Sequence, residues 1–283
     1  KNGINIYVHS TPKFKTTTFC MFIHQNLARE TATKTALIPF VLKRGSKSFP
    51  TSRKMNLFLE ELYGTSMGGD ILKRGEIQIM QFFMETVNHN YIDDKSILIK
   101  GLTAFKDMIL DPLVEDGGFK EDYVNQEKEI LKRNIESLYN DKFNYTIERC
   151  FQEMCKDEPY SIYKYGSIED LEKINGSHLY EYYRNCLIKC PIDIFVLGNI
   201  DESEIRNKME ELFGFNRKAE KLVNTSNVVK DVKEKFVEER QQVSQGKLSM
   251  GFRTNTRYGD KDYFALLVYN GILGGGPHSK LFQ

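Results

Sequence analysis

The side chains that could do chemistry are present in this chain but dispersed. Five histidines, His9, His24, His89, His178 and His278, lie far apart. None is spaced to chelate a metal with a neighbour, and isolated histidines read as surface or capping residues. Of the five cysteines, Cys150 with Cys155 and Cys186 with Cys190 are the pairs a zinc site could draw on. Neither pair has the short C-x2-C knuckle spacing, and both fall in helical patterns. All five thiols, Cys20 included, read as reduced and structural, as expected of a cytoplasmic protein. The run "GGGP" at 274–277 lacks the Gly-Lys-Ser/Thr ending of a phosphate loop and reads as a helix cap. The stretch "ALIPFVLKRGS", from Ala36 to Ser46, falls on a helical pattern. From Ala36 to Leu42 it offers only aliphatic, aromatic and proline side chains.

The elements that would position any site come from an ordinary globular composition. Of 283 residues, 40% are hydrophobic and 28% charged, and the formal net charge is +1. One large or two smaller domains are expected at this length. The balanced charge gives no case for nucleic acid, since basic clusters such as "KRGSK" are matched by acidic ones such as "VEDGG". No apolar run approaches the ~20 residues that span a bilayer, so no membrane is expected. The opening "KNGINIYVHS" is no signal peptide. It begins with Lys1 rather than Met, which leaves room for native residues or a leader upstream.

Periodicity predicts strands over "GINIYVHS" and 16–25, and the short "TPKFK" between them predicts an antiparallel hairpin. A helix follows from Thr31, with Pro39 inside it requiring a bend or an early-turn position. A second helix starts at a Thr51/Ser52 cap and ends at Gly64. Residues 65–88 read as two strands. Helices are expected at 91–111, at about 120–156 with a break near "NDKFN", and at 168–188. A buried strand "PIDIFVLGNID" and a helix capped by Ser203 and Gly214 complete the unit. The expected organisation is an α+β repeat over 1–220 and a charged linker with an edge strand over 221–245. A second repeat then begins over 246–283, with a strand at "GKLSMGFRT", an apolar helix, and a new helix at "PHSKLFQ".

In order along the chain, "LKRGSKSFP", "LEELYGTSMGGD", "FKEDYVNQEKEILKRNIESLYNDK", "CKDEPYSIYKYGSIEDLEKINGSHLYEYYRN" and "LGGGPHSKLFQ" resemble the pitrilysin/insulinase family of metallopeptidases. The likeness covers nearly the whole chain, and it is to the bacterial processing-protease branch. Within that branch it is nearest to the degenerate partner of a paired set. The resemblance implies an insulinase-type α+β repeat with a mixed or antiparallel sheet packed by helices. Active members carry HxxEH, two zinc-binding histidines one helical turn apart with the general base between them. Laid on this chain, those positions become Ala36, Leu37, Ile38, Pro39 and Phe40. The third ligand position falls on Asn134, and only the supporting acid survives, as Glu127. The resemblance therefore implies no catalytic residue and no metal ligand here, with zinc a cofactor of active relatives only.

Family members hold peptides as an added strand on a sheet edge. The corresponding residues are Met67, Gly68, Gly69 and Asp70, where two glycines either permit close backbone approach or mark a plain strand-entry turn. The second repeat of the family supplies an Arg and a Tyr just downstream of the "LGGGxxSxLFQ" segment. This sequence stops at Gln283, immediately before that point. Three readings stay open. The first is a non-catalytic, peptide-binding subunit that pairs with an active sister chain as a heterodimer, or with itself. The second is a zinc endopeptidase with a displaced site, and the third is a scaffold that has abandoned peptides.

Overall fold

A computed structural model of the chain describes residues 3–223 and 233–283. The chain divides into two compact units, Lys1–Asn224 and Thr225–Gln283.

In the first unit, β1 (Ile4–Ser10) and β2 (Thr16–Asn26) lead into α1 (Arg29–Leu42) and α2 (Ser52–Glu61). The hairpin β3 (Ser66–Arg74) and β4 (Ile77–Val87) follows, then α3 (Ile97–Leu110) and a small ladder of β5 (Val114–Glu115) with β6 (Gly118–Phe119). Next come α4 (Glu121–Asn140), α5 (Lys142–Met154), α6 (Ile168–Glu172), α7 (Gly176–Lys189), β7 (Ile192–Gly198) and α8 (Glu202–Phe213). The main sheet has five strands in the order β1-β7-β2-β4-β3. Only β1 and β7 run parallel, so the sheet is mixed and the fold is α+β. Period-two alternation sends Phe19, Met21, Ile23, Met80, Phe82, Met84, Ile192, Ile194 and Val196 to one face. There they form a single core with the helices. The opposite face is partly open and carries an aromatic stack, Tyr7 on Phe195 at 4.6 Å and Phe22 edge-on to Phe195 at 5.7 Å.

The expected hairpin of the first two strands does not form. Strand β7 returns from far along the chain and lies between them, parallel to β1 and antiparallel to β2. A strand as apolar as Ile192–Val196 needs a neighbour on each side to pair its backbone in the interior. The helix expected from residue 91 begins at Ile97, after a short 3-10 turn over His89–Tyr91. The break near "NDKFN" is at Asp141, whose carboxylate accepts from Asn144 N–H at 3.1 Å and caps α5. The helix expected over 168–188 is two helices, because Asn175 caps a new one at His178 N–H. For α8 the cap is Asp201, accepting from Glu204 N–H at 2.8 Å, rather than Ser203; Ser203 bonds to Asp201 instead.

The second unit contains α9 (Tyr263–Gly274), an apolar helix with no buried residue. Two expected strands are absent among the described residues. None occurs over 216–223 or 233–245, and "GKLSMGFRT" forms no strand. The rest of the expected edge-strand segment, 224–232, lies outside the described residues. A strand is defined by its partner, and an apolar alternation without one stays irregular. "PHSKLFQ" forms turns rather than a helix, with Lys280 N–H returning to Ile272 C=O at 2.9 Å.

Candidate functional site

The second half of α1, Ala36–Leu42, is apolar all round and so is buried nearly all round, as such segments are. Ala32, Ala36, Leu37, Ile38, Pro39, Val41 and Leu42 are all buried. Its two internal threonines are satisfied across the helix surface: Thr35 Oγ1 pairs with Tyr182 OH at 2.7 Å, and Thr33 Oγ1 accepts from Ser167 N–H at 3.1 Å. Pro39 is accommodated late in the helix, ten residues in, not in its first turn. It packs onto β3 at Gly69, where a β-carbon would meet Pro39 Cβ at 2.9 Å and Pro39 O at 3.2 Å. Gly69 is therefore what lets α1 lie close against the sheet. Both glycines sit within β3, so neither marks a strand-entry turn. A β-carbon at Gly68 would meet the Phe83 ring at 2.8 Å on the other face.

Positions 36 and 40 are one turn apart on α1, about 6 Å along its axis. Ala36 is fully buried in the core, and Phe40 is half-buried with its ring tilted against Tyr165 at 6.4 Å between centroids. Neither side chain has a lone pair to donate, and the Pro39 ring has no proton-accepting atom. Asn134 lies exposed on the second half of α4, two turns beyond Glu127. Glu127 is only 7% exposed and is bonded to the guanidinium of Arg44, which follows α1. A methyl, a phenyl, an exposed amide and a carboxylate already neutralised by arginine do not fit zinc. Among the described residues, no three His, Cys, Asp or Glu side chains are placed to hold one metal ion. Of the histidines, His24 on β2 pairs with Asp193 at 2.9 Å and His178 sits beside its helix cap, Asn175, at 3.2 Å.

Strand β3 is the edge of the sheet. In an antiparallel pair, opposed residues either exchange both backbone bonds or point both groups outward. Ile71, opposite Met80, is of the outward kind: its N–H donates to Asp70 Oδ1 at 2.7 Å and its C=O accepts from Lys164 Nζ at 3.5 Å. By the same parity, Met67, Gly69 and Lys73 turn their backbone groups to the free edge. The edge is thus capped at Ile71 by two side chains of the protein itself. Met67, opposite Met84, is half-buried against the core.

The segment 159–167 forms the wall beyond this edge. Its aromatic residues are Tyr160, Tyr163 and Tyr165, with Tyr163 perpendicular to Tyr165 at 5.5 Å and Lys164 over the Tyr165 ring at 4.5 Å. Lys73 Nζ donates to the carbonyls of Tyr160 and Ile162, each at 2.8 Å, and Gln78 Nε2 to that of Lys164 at 2.8 Å. Burial lowers the Lys73 pKa and raises that of Glu148, while the Tyr163 hydroxyl is pushed up to about 12 by the same cause. Sequence reasoning missed this wall, although the run "PYSIYKYG" carried the signal: three tyrosines and a lysine in eight residues.

The molecule is thus an α+β repeat organised around one buried helix, with a capped sheet edge and an aromatic wall beside it. A family profile described as "Peptidase M16 inactive domain" matches residues 173–283. Over 281 residues the chain is 37% identical to the "Probable inactive metalloprotease YmfF" of Bacillus subtilis (strain 168), covering 99% of this chain and 66% of that protein. A crystal structure of a conserved protein from Enterococcus faecalis V583 superposes with a TM-score of 0.84 at 30% identity, over 99% of this chain and 66% of the other. A peptidase M16 inactive domain from Pseudomonas fluorescens shares the fold, with a TM-score of 0.69 at 14% identity, over 98% of this chain and 64% of that one. The chain belongs to the peptidase M16 family, the pitrilysin/insulinase metallopeptidases. It spans 66% of the length of the Bacillus relative. The profile match begins after α1 and α4.

Proposed function

We propose that this chain is a non-catalytic M16 protein that binds extended peptide segments along β3 and works beside an active, zinc-bearing M16 chain in the cytoplasm. The observation that carries the reading is the filling of α1. The positions that would bind metal and activate water hold Ala36, Pro39 and Phe40, packed into or against the core. Converting a ligand helix into a core helix removes hydrolysis without disturbing the sheet edge that α1 supports. An extended peptide added to that edge gains backbone hydrogen bonds at Met67 and Gly69 with little demand on its sequence. The aromatic wall of Tyr163 and Tyr165 supports selection of an apolar or aromatic side chain next to it.

The test uses the full-length protein. Metal analysis and a hydrolysis assay on unstructured peptides are run first, followed by peptide titration with and without an active M16 chain from the same cell. Expected are sub-stoichiometric zinc, no chelator-sensitive cleavage, saturable peptide binding, and a changed rate or specificity in the mixture. Chelator-sensitive cleavage by the purified protein alone would overturn the reading. Absence of peptide binding would reduce the role to scaffolding.

A further inference from the structure

Two thiols outside the α1 site converge on one oxygen. Cys186, buried in the last turn of α7, and Cys190, the residue that ends it, lie at 3.3 Å and 3.6 Å from Gln25 Oε1 of β2. Both sulfurs thus lie around one side-chain oxygen. Four helical steps put their α-carbons about 6 Å apart, inside the ~4.4–6.8 Å window of a disulfide. Their β-carbons are about 5–6 Å apart, beyond its ~3.5–4.5 Å, so bridging them strains the last turn of α7. Both are free thiols in this structure. We propose that Cys186 and Cys190 form a reversible intrachain disulfide by exchange with low-molecular-weight disulfides.

The pair is asymmetric in the way such exchange requires. Cys190 is half-buried and can be reached from solvent, whereas Cys186 is only 3% exposed. The neighbouring Cys186 thiol favours the Cys190 thiolate, and the Arg217 guanidinium adds to this. Cys186 is shifted the opposite way, by the neighbouring Cys190 and by burial. Arg217 is held in place by the carbonyls of Leu187, Gly3 and Cys190. Cys190 is therefore the attacking thiolate and Cys186 the resolving thiol.

The exchange balances as follows. Cys190 Sγ attacks one sulfur of the small disulfide; its S–S bond breaks, and the leaving thiolate takes the proton that Cys190 had lost. Cys186 gives up its proton, and its Sγ attacks Cys190 Sγ in the mixed disulfide. The second small thiolate departs with that proton. Two protein thiols lose two electrons, and one small disulfide becomes two thiols. The helix opposes the product, because closing the sulfurs tightens the turn that carries the Cys190 N–H to Cys186 C=O bond of 2.9 Å. A strained bond is an easily reduced one, so the reaction is reversible.

The full-length protein, fully reduced, is equilibrated in glutathione buffers of rising oxidised fraction, quenched in acid, tagged with a maleimide mass label and mapped by mass spectrometry. The expected result is loss of two of the five thiols in one step, with Cys186 linked to Cys190. Reversal by reductant completes it. A variant lacking Cys20, Cys150 and Cys155 should show the same paired loss, and Cys190→Ser should abolish it. The proposal is overturned by a stable glutathione adduct on Cys190, by linkage to any other cysteine, or by full retention of all thiols across the series. None of these readouts depends on peptide binding.

Discussion

Replacing Asp70 by Ala should tighten peptide binding at β3. The Asp70 carboxylate caps the Ile71 N–H at 2.7 Å, one of the groups an incoming strand must pair with. A docking peptide that reaches Ile71 has to displace this contact. Hydrogen bonds to charged groups are worth about 1.5–3 kcal/mol, and Asp70 is only half-buried, so the low end applies. Relief of about 1.4 kcal/mol corresponds to roughly a tenfold lower Kd. Asp70→Asn, which keeps a weaker neutral acceptor, should fall between the two. The assay is fluorescence anisotropy of a labelled unstructured peptide, with circular dichroism confirming that each variant is folded. Wild-type binding that is unchanged or weakened in Asp70→Ala would refute the reasoning, because the strand would then dock short of Ile71 or elsewhere.

Three further outcomes follow from the same geometry. Phe40→His should destabilise the protein by about 1–2 kcal/mol in urea unfolding, a discounted share of the ~1.5–3 kcal/mol for a fully buried Phe, and should bring no bound zinc in metal analysis. Unchanged or raised stability would contradict the packing of Phe40 against the core. Arg44→Met should cost about 2–3 kcal/mol by stranding the Glu127 carboxylate, and the double variant with Glu127→Leu should recover much of that loss, as a double-mutant cycle would read. Glu148→Gln should stabilise the protein at neutral pH, with the gain shrinking as pH falls. The sign follows from burial, which raises the Glu148 pKa above its ordinary 4.5. Its contribution is therefore fully present below that value and is lost as pH rises through the raised one. Urea midpoints of both proteins across pH 4 to 8 would check this, and a pH-independent difference would rule it out.

Much of this fold was legible because its local signals agree with its tertiary demands. The existence of β4 and the Thr51 cap of α2 are local signals and stand where the sequence placed them. The alternation through Ile77, Ile79, Gln81 and Phe83 marks the wrong face, however, since Met80, Phe82 and Met84 enter the core. The strand order was not legible: β7 enters between β1 and β2 through pairings about 190 residues apart in sequence, and no short-range signal specifies a partner at that distance. The second unit failed for a related reason, since apolar alternation at 246–254 indicates a strand only where another strand lies beside it. At the site, residue types alone disclosed that positions 36–40 carry no metal-binding side chain. The cap on the β3 edge was only half readable: Asp70 adjoins Ile71 in sequence, but Lys164 reaches it from 93 residues away.

The same contrast explains how a helix without metal-binding side chains at 36–40 can still support the β3 edge at which peptide binding is proposed. A zinc-binding helix must present imidazole and carboxylate groups to a wet cleft, which limits how much of its surface can join a core. Here Ala36, Pro39 and Phe40 remove that requirement, and α1 packs nearly all round. It meets β3 at the Pro39–Gly69 contact, one residue from Asp70. A preorganised edge would lose less entropy on adding the proposed peptide strand, which needs no catalytic group behind it. The caps at Ile71 satisfy backbone groups of an edge that would otherwise invite other strands, and the proposed peptide would have to displace them.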